Sequence, residues 1–219
     1  MVLIITSDKV LNGRIDHIDI GTETDVCIFD CKDLVKLPCW QNVIKVKCYI
    51  CAGLVTLPNW PNVEYIDIYK CPSLVILPCW SNVTRVSCEY CPSLVSLPCW
   101  PNVLFVDCSD CPSLVSLPNW PNIKNVSCEH CLKLVRLPCW SNVTRVSCEH
   151  CPKLVTLPCW PNVEEVYYKD CPRLLFIPNW SYSVELHCIN CPNIQKQASL
   201  VLLKSDYLQS AFIPEFINL

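Results

Sequence analysis

From residue 31 to residue 190 the chain repeats every 20 residues without insertion or deletion. Cys recurs at 31, 51, 71, 91, 111, 131, 151, 171 and 191, and Trp at 40, 60, 80, 100, 120, 140, 160 and 180. Leu-Pro stands at 37–38 and at every equivalent through 157–158, becoming Ile177-Pro178 in the last unit. Asn recurs from 42 to 162, where Tyr182 then takes its place. A short fixed period means a solenoid, because one such unit cannot bury its own apolar face and does so only by stacking on its neighbours. The side chains can therefore be read column by column.

Within one unit the inward positions run Val103, Val106, Cys108, Cys111, Leu114 and Leu117-Pro118. The alternation Val106-Asp107-Cys108 predicts a short strand, with Val106 and Cys108 inward and Phe105, Asp107 and Ser109 outward. Stacking places these strands in one parallel sheet on the concave side. Pro at 98, 118, 138 and their equivalents excludes a regular helix from the return path. The convex side is thus expected to be helix-poor: extended, 3-10 or polyproline II. There Trp and Asn are expected to wedge and hydrogen-bond successive turns, since backbone groups without a helix need partners.

Outside the periodic block, residues 15–20 (IDHIDI) alternate apolar and polar and predict the leading strand of an N-terminal cap over residues 1–25. Tandem repeats fill 26–194. The C-terminal cap, 195–219, loses the period, and its residues 199–212 predict a capping helix that stops before Pro214.

The spacing is close to the leucine-rich-repeat pattern. The segment Cys88-Glu89-Tyr90-Cys91-Pro92-Ser93-Leu94-Val95-Ser96-Leu97-Pro98 resembles the short cysteine-containing leucine-rich repeats of giant DNA viruses of amoebae and, more distantly, those of bacterial effectors. The resemblance implies a leucine-rich-repeat solenoid and, for function, mainly protein binding. Effector relatives often add a ubiquitin-ligase domain and viral relatives an F-box. The roughly 25 residues on each side of the array are expected to hold neither.

Cysteine supplies 21 of 219 residues, yet 52% of the chain is hydrophobic. Disulfide scaffolds are short chains that lack a core, and this chain is long and apolar enough to build one. Residues 1–6 are too short for a secretory signal, and no run would span a bilayer. The expected location is therefore cytoplasmic, meaning host cytoplasm or virion on the viral resemblance, with no membrane partner. A net charge of −3 argues against nucleic acid as a partner.

Three readings of the cysteines follow. A ladder of reduced thiols in the core is favoured, because both cysteines of each Cys-x-x-Cys pair point inward and Ile68 or Tyr168 replaces one without breaking the period. Zinc or another metal is the second reading, on the superficial match of spacing. Disulfides are the third, with Cys79–Cys99 and Cys139–Cys159 as the pairs on neighbouring coils at the convex edge.

No phosphate loop, nucleotide fingerprint or paired-carboxylate cleft is present, so no enzyme activity and no cofactor are expected. His130 and His150, beside Glu129 and Glu149, would allow a surface metal site, but duplication of Cys-Glu-His-Cys accounts for them more simply. The outward strand columns are the expected binding face: Lys45, Lys47, Tyr65, Asp67, Arg85, Phe105 and Asp107, flanked by Tyr49, Tyr69 and Tyr90. Exposed aromatics with Arg have the composition of interface hot spots, although aromatics on a sheet also pack across strands. The expected function is non-enzymatic recognition of a host or virion protein by the concave face. The alternatives are a structural, self-associating protein and a metal- or redox-active cysteine protein.

Overall fold

A computed structural model describes residues 2–180 and 184–194. The chain is a leucine-rich-repeat-like solenoid whose ten strands form one parallel sheet in chain order. They are β1 (Val2–Ile5), β2 (Asp25–Phe29), β3 (Lys45–Tyr49), β4 (Tyr65–Tyr69), β5 (Arg85–Glu89), β6 (Phe105–Asp107), β7 (Asn125–Ser127), β8 (Arg145–Ser147), β9 (Glu165–Lys169) and β10 (Glu185–Ile189). From β2 onward each residue pairs with the one 20 positions later, as in Lys45↔Tyr65 and Arg85↔Phe105. Equivalent side chains therefore stand in columns about 4.8 Å apart.

From β2 onward each coil turns after its strand at a corner residue with φ between 51° and 60°, from Asp30 through Asn190, and none of these is glycine. The following Cys is buried and turns the chain, with the N–H three residues on returning to its carbonyl, as from Leu114 to Cys111 at 3.1 Å. The left-handed corner leaves carbonyls that the sheet cannot satisfy, and this Cys supplies a weak donor to them. Cys111 Sγ donates to the Cys88 carbonyl at 3.0 Å, and Cys151 to that of Cys128 at 3.1 Å. The second inward column bonds the other way along the axis, Cys108 Sγ to the Ser127 carbonyl at 3.4 Å.

The return path is helix-free in every coil from 31 to 180. Its tryptophans form one continuous stack, with successive centroids 5.7–6.2 Å apart and rings within 12° of parallel. Each indole from Trp60 to Trp160 also donates to a Pro carbonyl on the preceding coil, as Trp100 Nε1 does to Pro78 at 3.0 Å. The Asn column repeats the device, Asn102 Nδ2 reaching the Ser81 carbonyl at 2.8 Å. The return paths are tied coil to coil on the side away from the sheet by backbone bonds, as from Val75 N–H to the Val55 carbonyl at 3.0 Å.

The leading strand differs from expectation. It is β1 at Val2–Ile5, paired with β2 at a 23-residue offset, and residues 15–20 are not a strand. Ile15 and Ile20 are buried, but as return-path positions of the first coil, where Arg14 bridges to Lys36 and Ile18 N–H turns back to Ile15. These two buried isoleucines are five positions apart, a spacing that suits an irregular turn and not the two-residue period of a strand. The expected capping helix at 199–212 lies outside the described residues.

Candidate functional site

The concave face is built from the outward strand columns, which the inward Val and Cys columns lock in register. Arg85 on β5 is exposed and lies between the ring of Tyr65 on β4, at 5.9 Å, and that of Phe105 on β6, at 3.8 Å. The three side chains come from directly paired residues, so the sheet register itself assembles the stack. Cation–π attraction holds the guanidinium while leaving its N–H groups open to an incoming acceptor.

A second aromatic group adjoins it. Tyr49 and Tyr69 meet edge to face at 6.4 Å, and Tyr69 meets Tyr90 in the same way at 5.2 Å. Lys70 places Nζ over both Tyr69 and Tyr90, at 5.0 and 5.8 Å. Asp67 ties the two groups together, accepting from Tyr49 Oη at 2.5 Å and from Tyr65 Oη at 3.5 Å. Burial, followed by this bond to the carboxylate, pushes the Tyr49 phenol well above its ordinary value. At the N-terminal edge Lys45 pairs with Asp25 at 3.7 Å, and Lys47 stands half-buried beside them.

Toward the C-terminal half the face becomes acidic. Asp107 accepts from Ser109 N–H at 3.0 Å and from Ser109 Oγ at 2.7 Å. Ser87 donates to Glu89 at 2.9 Å and Ser147 to Glu129 at 2.6 Å. Burial raises the Asp107 carboxyl above the ordinary carboxylate value despite the Ser109 bonds, and burial with the nearby Asp107 charge raises Glu89. Beyond this region Arg145 bonds Glu165 at 3.2 Å and lies 4.9 Å over the Tyr167 ring, which stacks on His187 at 4.2 Å.

Of the ten residues singled out in the sequence for this face, nine lie on its strands and Tyr90 stands at the corner of β5, against Tyr69. Tyr49, Tyr65, Asp67, Tyr69, Arg85 and Phe105 form one continuous group, Asp107 begins the acidic row, and Lys45 and Lys47 stand at one end. Two contributors went unremarked, Lys70 and Glu89, and Ser109, expected as an exposed outward residue, is buried by its bonds to Asp107 and Ser127. A Lys at a strand corner between two Tyr-bearing rungs was the available signal for Lys70.

Other candidate sites are less coherent. His130 and His150 stack at 4.4 Å, and His150 Nδ1 is 3.3 Å from Asp170. Among the described residues no group of three or more His, Cys, Asp or Glu is arranged to hold a metal ion. Cys79 and Cys99 lie on adjacent coils, exposed, with Cys79 Sγ 3.6 Å from the Cys99 carbonyl. Cys139 and Cys159 are exposed on neighbouring coils that bridge at Arg136↔Thr156. Burial drives the Cys48 and Cys148 thiols well above the ordinary thiol value and that of Cys31 up to about 12, which holds these three protonated. An open groove of about 570 Å³ follows the Asn column past Thr84, Leu104 and Lys124. Its amide donors are used on the preceding coil, as at Asn82 and Asn122. No helix among the described residues is long and apolar enough to cross a membrane.

Neither a protein-family model nor a curated protein matches the chain.

Proposed function

We propose that the chain is a non-enzymatic recognition module that binds a protein partner through the concave sheet face, centred on Tyr65, Arg85 and Phe105. The observation that carries this reading is the pair of aromatic–cation groups, in which Arg85 and Lys70 are held on open rings by the sheet register. Ring contacts pre-position these cations, which lowers the ordering entropy that opposes contact, and the groups combine Tyr and Arg, residue types that dominate interface energetics. The solenoid supplies the long, regular platform. Along its C-terminal side run Glu89, Asp107, Asp110, Glu129 and Glu149, with no Lys or Arg in those columns between Lys70 and Lys169. The partner segment therefore presents apolar or aromatic side chains to the ring groups and Lys or Arg to the acidic row.

Tyr65→Ala combined with Phe105→Ala tests the reading by quantitative affinity capture from cells of origin, read against wild type. Proteins retained by wild type and depleted at least about tenfold by the double variant, at unchanged melting temperature, support it. Identical retention by both removes the concave face from the function.

A further inference from the structure

The return paths of four consecutive coils carry no charge. Residues 51–63, 71–83, 91–103 and 111–123 contain no Asp, Glu, Lys, Arg or His, so every charge of these coils lies on the strand side and its corners. Through the middle of this neutral surface runs a row of exposed valines. Val55, Val75, Val95 and Val115 are 42–49% exposed, and Ile76 beside them is 54% exposed. Val35, Val135 and Leu175 continue the row at both ends. A single exposed valine is ordinary, whereas a contiguous apolar band marks an interaction surface.

Comparison of the repeats with one another shows that the fold does not require this row. The next column also faces outward and reads Lys36, Thr56, Ile76, Ser96, Ser116, Arg136, Thr156 and Phe176. Polar, charged and aromatic side chains are all accommodated there. The column beside it holds seven valines and one leucine over the same eight coils. The two columns have similar exposure in the same coils, and only one is apolar throughout. The surface is also firm, because the valine backbones bond coil to coil, Val75 N–H to the Val55 carbonyl at 3.0 Å and Val155 to Val135 at 3.1 Å.

We propose that a second copy of this chain docks on the convex face, valine row against valine row, about a two-fold axis between the coils that begin at Cys71 and Cys91. That axis sets the four neutral coils of one copy on the four of the other, as a self-complementary two-fold contact requires. Four coils at about 4.8 Å each and a return path of roughly 25 Å give about 480 Å² per copy, the size of a weak, reversible interface. At the rim stand Lys36, Lys133, Arg136 and Lys153, with Asp33 as the acidic member in the same columns. Like charges therefore meet where the neutral coils end, and salt strengthens the contact by screening them.

Sedimentation velocity on the full chain, in reducing agent so that the exposed Cys79 and Cys99 cannot cross-link copies, tests this. The expected result is a monomer–dimer equilibrium in the micromolar range that tightens on raising NaCl from about 0.05 to 0.5 M. Val75→Lys with Val95→Lys, side chains the adjacent column already tolerates, is expected to raise the dimer Kd at least about tenfold at unchanged melting temperature. A chain that stays monomeric at both salt concentrations overturns the proposal, and so does a dimer indifferent to the double substitution. A monomer that co-floats with phosphatidylserine-containing vesicles assigns the same basic-rimmed face to a membrane surface and also overturns it. Partner capture by the concave face is read separately, because the two sets of substitutions lie on opposite sides of the coil.

Discussion

The tryptophan stack offers the sharpest test of what holds the solenoid together. Trp100 is fully buried, stacks on Trp80 at 6.1 Å and Trp120 at 5.9 Å, and donates to the Pro78 carbonyl. Trp100→Ala removes a large core side chain, which alone costs about 3–5 kcal/mol. The Pro78 carbonyl also loses the indole bond but keeps the Trp80 N–H at 3.2 Å, a further ~0.5–1.5 kcal/mol. These terms overlap, so the expected loss is about 4–6 kcal/mol, a large share of a typical domain's total stability. Trp100→Phe keeps an aromatic ring in the stack and drops the indole bond, and should cost only about 1–3 kcal/mol. Trp40→Ala should be milder than Trp100→Ala by about 1 kcal/mol or more, since Trp40 begins the stack with Trp60 as its one tryptophan neighbour. Urea unfolding followed by tryptophan fluorescence and circular dichroism gives all three values. A central cavity also weakens coupling between the two halves of a nearest-neighbour array, so the Trp100→Ala transition should broaden or split. A loss of about 1 kcal/mol or less at Trp100, or equal losses at 40 and 100, would refute the view that the stack is a cooperative spine.

Three further outcomes follow. Ile50 is a β-branched residue held at φ 60°, so Ile50→Asn should stabilise the fold by about 1 kcal/mol and raise the melting temperature by about 2–4 °C; a fall would show that its side-chain contacts outweigh the strain. Because the folded Asp107 carboxyl is raised by burial, its contribution is present at low pH and is lost as pH rises through the folded value. Asp107→Asn keeps an acceptor for Ser109 and should gain on wild type at neutral pH, with the gain shrinking toward pH ~4; a melting-temperature difference constant with pH counts against this. Exposed Cys39, Cys79, Cys99, Cys139 and Cys159 should alkylate rapidly in the native protein, while the core columns react only on unfolding; mass-mapped labelling that finds Cys111 or Cys131 among the fast thiols would remove the reduced-ladder reading.

The columns of the solenoid were legible because a fixed period turns one coil's inside–outside pattern into every coil's. Val106, Cys108, Cys111, Leu114 and Leu117 are all inward as read, and the Trp and Asn bonds between coils follow from a return path that proline keeps from being a helix. The leading strand was not legible, because the first coil lies outside the period and residues 15–20 offer an alternation that mimics a strand. The left-handed corner carries no glycine, its usual sign. Asp30, Asp110, Asp170, Asn190, His130 and His150 in that column were nonetheless a signal, since these types tolerate positive φ best. On the concave face the sequence showed which residues share the surface. That Arg85 lies closer to Phe105 than to Tyr65, or that Lys70 covers two rings, depends on rotamers chosen among neighbours on three strands.

The cysteine content follows from the same corner. At the position after the left-handed residue the chain needs a side chain small enough for a fully buried turn that also donates to carbonyls the sheet leaves open. Serine would bring a hydroxyl at a higher desolvation cost, and alanine would leave the carbonyls unpaired. A thiol is a small hydrophobe with a weak donor, and Cys171 illustrates the fit, donating to the Cys148 carbonyl at 3.2 Å. Nine copies of that solution, and six of the inward strand position beside it, account for fifteen of the cysteines. The high count therefore arises from one local requirement multiplied by the repeat. Solvent reaches the remaining six, half-exposed Cys27 on the concave face and the five on the convex edge, and within the two columns it reaches Cys188 on the last strand.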